Sequence, residues 1–180
     1  MPSELRTDTV SIILNCPNLK AWYTQNYDGF SHPKLAPFPI GLDLHTPRET
    51  GGPKTLVDLI RSLRNRRPPI EGQPLRAFCD LNLSLCCRER YEAVTALLSC
   101  SHVDFINKRV SQKSIWERYA YYPFVLSTSG NGLDCHRTYE ALYLGSIVIM
   151  KHSPLDPGAR VAKFGENLLA RTIFSSVRGS

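Results

Sequence analysis

Phe124-Val125-Leu126-Ser127-Thr128-Ser129-Gly130-Asn131-Gly132-Leu133-Asp134-Cys135-His136-Arg137-Thr138-Tyr139-Glu140-Ala141-Leu142-Tyr143-Leu144-Gly145-Ser146-Ile147-Val148-Ile149-Met150 reads as strand, polar loop, helix and strand. Phe124 to Leu126 is a short apolar run, the pattern of a strand buried on both faces. Ser127 to Gly132 carries hydroxyls, two glycines and an asparagine, which favour turns and close backbone approach. Asp134 is placed to cap the helix that follows, and Gly145 to end it. Ile147 to Met150 reads as a second buried strand. The loop lies at the carboxyl end of a strand, the edge at which open α/β sheets bind ligands.

One face of the helix concentrates charge. His136 and Glu140 are four residues apart and Arg137 and Glu140 three, so the three side chains can cluster. They occupy the first two turns, where free N–H groups and the helix dipole attract phosphate. A cation there can neutralise a diphosphate, and a carboxylate one turn deeper can accept hydrogen bonds from ribose hydroxyls. The structural alternative is an exposed helix with one Arg–Glu pair worth a few tenths of a kcal/mol.

The run from Gly130 to Gly145 resembles the donor-site motif of exostosin-like glycosyltransferases. There an apolar strand leads to a glycine-bearing loop, then His/Ser-Arg-x-x-Glu-Ala-Leu, a glycine and another apolar strand. Here those positions are filled by His136-Arg137-Thr138-Tyr139-Glu140-Ala141-Leu142 and Gly145. The resemblance implies a GT-B fold, whose C-terminal Rossmann-like half binds a nucleotide sugar. On that analogy the donor site is Arg137, Glu140, His136, Ser127, Ser129, Gly130, Asn131 and Gly132. Arg137 would neutralise the diphosphate and Glu140 would bind ribose. The resemblance runs from about Val10 to Pro157.

Upstream of this unit the chain alternates in the same manner. Ser111 to Tyr121 reads as a helix with Ile115, Trp116 and Tyr119 inward, capped by Ser111 or Ser114 and stopped by Pro123. Val103 to Ile106 is a strand, and Arg88 to Ser99 a helix. Leu75 to Leu81 is a strand, after which Asn82 and Ser84 fall at the same edge as Ser127. Lys54 to Asn65 is an amphipathic helix with Leu56, Leu59, Ile60 and Leu63 at helical spacing, stopped by Pro68-Pro69. Leu35 to Leu42 is extended, and its prolines exclude it from the middle of a regular ladder. His45, just beyond, is either near a ligand or a surface or capping residue. Leu19 to Gln25 reads as a short helix carrying Trp22 and Tyr23, and Val10 to Leu14 as a first strand. The sum is roughly six strands and five helices. It predicts a single α/β, Rossmann-like domain over 10–157 with a mainly parallel sheet and right-handed crossovers. Residues 1–9 form an N-terminal tail and 158–180 an atypical C-terminal one.

The 180 residues suffice for one α/β domain with its own core but not for both halves of a GT-B enzyme. On this analogy the chain is expected to be a truncated form. No general base can be assigned, because acceptor and base normally belong to the other half, so the catalytic residues are unknown. The formal net charge of +6 suits a phosphate-bearing ligand. Arg61, Arg64, Arg66 and Arg67 sit at a helix end, where cations complement the dipole, and no aromatic-rich basic motif supports nucleic-acid binding. None of the six cysteines forms a C-x-x-C pair, and the histidine spacing does not suggest zinc. With no Asp-x-Asp, no metal and no resident cofactor are expected. The partners implied are a nucleoside diphosphate sugar and a glycan or protein acceptor. No run of about 18 apolar residues offers a membrane span. Family analogy places such domains in the Golgi lumen if a longer product carries an anchor. The competing reading is a non-catalytic α/β module that binds a nucleotide or a partner.

Overall fold

The computed structural model describes residues 3–25, 27–47, 51–80, 88–106, 108–130 and 132–151, with 3–8 by backbone alone. Leu81 at the end of the expected strand, the polar Asn82 and Ser84, the loop residue Asn131 and the segment 158–180 lie outside the described residues.

The elements in order are α1 (Ser3–Leu14), β1 (Trp22–Thr24), β2 (Leu35–Pro37), α2 (Pro53–Asn65), a 3-10 turn (Ile70–Gly72), β3 (Ala77–Cys79), α3 (Arg88–Leu97), β4 (Val103–Phe105), α4 (Gln112–Tyr121), β5 (Phe124–Leu126), α5 (His136–Tyr143) and β6 (Ile147–Ile149). The fold is α/β with parallel pairing throughout, a Rossmann-like arrangement. β1 and β2 form a two-stranded sheet, and the main sheet has the order β4-β3-β5-β6.

Side chains alternate across the main sheet as its pleat demands. Phe78 and Val125 face one side, where they meet Leu56, Ile60 and Leu63 of α2, Trp116, Tyr119 and Ala120 of α4, and Ala141 of α5. Ala77, Cys79 and Leu126 face the other side and meet Val94 of α3. The result is three layers, with α2, α4 and α5 on one face and α3 on the other. Phe78, Trp116 and Val125 are 0% exposed; burying each such side chain contributes about 1.5–3 kcal/mol.

Local signals place the helix ends. Pro53 starts α2, where its missing N–H costs nothing. The Ser111 hydroxyl accepts from Ser114 N–H at 3.3 Å and caps α4. Gly145, at φ +93°, closes α5: its N–H donates to Leu142 and that of Ser146 to Ala141. These two bonds are the Schellman pattern, which needs a residue in the left-handed region.

Four expectations are corrected. Val10 to Leu14 is not a strand but the end of α1; Leu14 is buried while Ile12 and Ile13 are exposed, which suits one face of a helix. Trp22 to Thr24 is not helical but β1, paired in parallel with Leu35 to Pro37; aromatic and β-branched residues favour that choice. Asp134 does not cap α5. The cap position is Cys135, whose side chain makes no capping bond, and Asp134 instead accepts from Ile40 N–H at 2.7 Å and Tyr139 O–H at 3.1 Å. β6 is an edge strand with Ile147 exposed, rather than one buried on both faces.

Candidate functional site

The order β4-β3-β5-β6 contains a reversal. From β3 the chain crosses outward to β4, then returns past β3 to β5 and continues to β6. The reversal falls between β3 and β5, and the crevice at the carboxyl ends of two such strands is where open α/β sheets receive ligands. Asp80 follows β3, Ser127 and Thr128 follow β5, and α5 opens across the gap.

A buried polar network fills this edge. Arg137 Nε lies 2.9 Å from Asp80 Oδ1, both side chains being almost enclosed. Its Nη1 approaches the Thr128 carbonyl at 3.5 Å. The other Asp80 oxygen accepts from the Tyr119 hydroxyl at 2.6 Å. Gln112, at the start of α4, donates to Glu140 Oε1 at 3.1 Å. Burial pushes the Arg137 pKa down, but Asp80 and then Tyr119 more than offset it and leave the guanidinium's pKa raised. Tyr119 is held well above the ordinary phenol range, chiefly by burial and then by Asp80.

Five buried side-chain atoms lack a hydrogen-bond partner among the described residues: Asp80 Oδ1, Arg137 Nε, Thr128 Oγ1, Gln112 Oε1 and Trp116 Nε1. All five belong to this edge or to α4 beneath it. The Asp80–Arg137 contact is thus a close ion pair whose N–H is not aimed at the oxygen. Buried polar atoms are normally satisfied, so a concentration of unsatisfied ones marks a place where a further group can bind.

The sequence-predicted residues divide. His136, Arg137 and Glu140 are drawn to different partners: His136 Nδ1 to the Gly41 carbonyl at 2.8 Å, Arg137 to Asp80, and Glu140 to Gln112. Ser127 is buried and shares a 2.9 Å hydrogen bond with Thr138, one turn into α5. Ser129 donates to Glu89 of α3 at 2.6 Å, while Arg90 holds the Ser129 carbonyl at 3.2 Å. Gly130 N–H donates to the Gly132 carbonyl at 2.9 Å, closing the loop upon itself. Asn131 is outside the described residues.

Asp80, Gln112 and Tyr119 were not singled out as site residues. Asp80 carried a usable signal, being the polar residue directly after a buried apolar strand, as Ser127 is. Gln112 and Tyr119 carried none: each reads as an ordinary helical position. A second group lies beside the first turn of α5. Asp43, His45 and His136 each bring one potential metal-ligating atom within 4.8 Å of the others.

Among the described residues no helix is long and apolar enough to cross a membrane. The chain matches no protein-family model and no curated protein.

Proposed function

We propose that the domain binds the diphosphate of a nucleotide sugar at the carboxyl ends of β3 and β5, as the donor half of a glycosyltransferase does. The observation that carries this reading is the nearly enclosed Arg137–Asp80 pair at the sheet's reversal, incompletely hydrogen-bonded among the described residues, as is the neighbouring Thr128 hydroxyl. The likeness of the Gly130–Gly145 run to the exostosin-like motif supports the choice of ligand. Arg137 would supply the positive charge, aided by the N–H groups opening α5. As the sugar leaves, that charge stabilises the developing negative charge on the diphosphate. Glu140 would take ribose hydroxyls by exchanging its bond with Gln112. This division of labour uses an arginine in place of a metal to neutralise the phosphates. The acceptor, a glycan or protein, would have to be brought to the same edge with a base within hydrogen-bond reach of its hydroxyl.

Calorimetry of the full chain with uridine and guanosine diphosphates tests the reading. Binding that falls about 10–100-fold in Arg137→Ala is expected, the worth of a charge-assisted contact of roughly 1.5–3 kcal/mol. No binding to the native chain, or equal binding in the variant, would overturn it.

A second reading, a binding module without turnover, is favoured by one observation. Arg137 already faces a carboxylate and Glu140 already holds an amide inside the domain. Hydrolysis or transfer of a sugar nucleotide by the purified chain excludes that reading.

A further inference from the structure

We propose that Asp43, His45 and His136 form a three-ligand site for a borderline-soft divalent cation, Zn²⁺ foremost. The three ligand atoms come from two separate segments: the loop after Gly41 and the first turn of α5. The segments are already docked, since Ile40 N–H donates to Asp134 at 2.7 Å. The site is therefore built by tertiary structure rather than by sequence spacing, which is why histidine spacing gave no sign of it.

Two of the three ligands, His136 and Asp43, are held by outer hydrogen bonds of the kind that metal sites use. His136 Nδ1 lies 2.8 Å from the Gly41 carbonyl, which can only accept. Nδ1 is therefore assigned the proton, and in the neutral ring this leaves the Nε2 lone pair for a metal, the tautomer that an outer hydrogen bond selects in metal-bound imidazoles. Asp43 is buried, and its Oδ1 is fixed by Thr46 N–H at 3.1 Å. His45 Nδ1 stands 3.2 Å from that same oxygen. This is close to the edge of a tetrahedron built on metal bonds of about 2.0–2.1 Å. The ligand atoms all lie within 4.8 Å of one another. An ion between them needs His45, whose side chain is 77% exposed and moves at little cost, to turn, and Asp43 and His136 to draw closer by small side-chain adjustments.

Two imidazoles and one carboxylate favour Zn²⁺, Ni²⁺ or Co²⁺ over the oxygen-seeking Mg²⁺ and Ca²⁺. The opening turn of a helix disfavours a cation, and the Asp43 carboxylate supplies the compensating charge. Three protein ligands leave a fourth position for water or an anionic oxygen. The bound ion would clamp the 41–46 loop to α5. The inference is tested apart from the nucleotide reading, because Zn²⁺ binding is measured without nucleotide; the two share only His136, while Asp43 and His45 belong to the metal site alone.

The test is a competition titration of the full, chelator-stripped chain with Zn²⁺ against a chromophoric chelator, with the visible spectrum of the Co²⁺ form as a second readout. One equivalent of Zn²⁺ and a tetrahedral Co²⁺ spectrum without thiolate charge-transfer bands are expected. His45→Ala and His136→Ala should each lose more than the 10–100-fold that outer-shell changes cost. Because His45 is on the surface, its variant should unfold at the native temperature without metal and lose only the Zn²⁺-induced rise. Equal Zn²⁺ affinity in the native chain and His45→Ala would overturn the proposal. So would a thiolate signature in the Co²⁺ spectrum, which would point to cysteine instead.

Discussion

Arg67 and Arg137 lie at opposite ends of the same sheet, and their surroundings differ in kind. Arg67 Nη1 donates to the carbonyls of Tyr119, Ala120 and Leu144 and to the Ser146 hydroxyl; Nη2 donates to Gln73 and the Tyr122 carbonyl. Its acceptors include the carbonyl ends of α4 and α5, the negative poles of both helices. No carboxylate is among these acceptors, and burial, with Arg64 adding to it, pushes its pKa down. Arg137 sits instead at the positive pole of α5, against one carboxylate, with its Nε unsatisfied among the described residues. A guanidinium saturated by neutral carbonyls is a staple between helices. One placed against a dipole and incompletely bonded is suited to a second anion.

Tyr119 connects the two. Its hydroxyl reaches Asp80, and its carbonyl accepts from both Arg67 and Ser146. The contrast can therefore be broken from either side. The largest effect is expected from Arg67→Met. It leaves several helix-end carbonyls without their donor and should cost about 3–4 kcal/mol in urea unfolding, since each unsatisfied buried group costs about 1–3 kcal/mol and some will find water. Diphosphate binding by the folded fraction should be unchanged. A cost under about 1 kcal/mol would show that the carbonyls re-pair without it.

Arg137→Met should destabilise by about 2–3 kcal/mol for another reason: Asp80 is left as an uncompensated, nearly buried charge, and the exposure both side chains retain keeps the cost below the roughly 3–5 kcal/mol of a fully buried pair. Adding Asp80→Asn should restore at least half of that, because the amide keeps an acceptor for Tyr119. No single second change should rescue Arg67→Met, because most of its lost partners are backbone carbonyls. If the double variant is no more stable than Arg137→Met, Asp80 is not the source of the cost.

Much of the frame was legible because it rests on local patterns. The Leu56, Ile60 and Leu63 stripe, the apolar runs of β3 to β6, Ser111 and Gly145 each carry their own signal. The first 25 residues were not, and the two elements there exchanged type. Val10 to Leu14 is a short apolar run, which periodicity cannot assign between strand and helix. The site was legible only in outline. Residues 124–145 pointed to the sheet edge where the buried polar network lies, but the partner of Arg137 lies at the end of β3, and no local spacing links the two. The basic run at the end of α2 shows the same limit. Complementing a helix dipole was the right physics, yet Arg64 and Arg67 reach carbonyls at the end of α5, while Arg66 returns to its own helix at Ser62 and Arg61 pairs with Asp58.

Alkaline pH probes both ends through their tyrosines. Tyr122 is raised to about 12, first by burial and then by its bond to Asp104, and Tyr119 is raised well above its ordinary value. The unfolded chain ionises near pH 10, where the folded chain still holds both protons. Stability is therefore fully present below pH 10 and is lost as pH rises through the folded values. About 2 kcal/mol should disappear between pH 10 and 11 for the pair. Tyr122→Phe should remove about half of the pair's share, and Tyr119→Phe the other half while also releasing Asp80; Tyr139, raised by burial and Asp134, adds a loss that neither variant removes. A flat stability profile from pH 9 to 11 would mean that neither hydroxyl is protected.

The smallest expected effect sharpens the Arg67 side. Gly145 has φ +93°, a conformation that costs an L-residue roughly 1–2 kcal/mol. A Cβ there would also lie 3.2 Å from Arg67 Cδ and 3.3 Å from its Nε, tighter than ordinary contact. Gly145→Ala should therefore cost about 1–2 kcal/mol, partly offset by the lower entropy of the unfolded chain. The two sources of this cost separate in a double-mutant cycle. If the methyl group displaces the Arg67 side chain, Gly145→Ala should cost less in the Arg67→Met background, because the more flexible thioether yields to it. If backbone strain alone is responsible, the costs should add, and the contact between the turn and the staple contributes nothing.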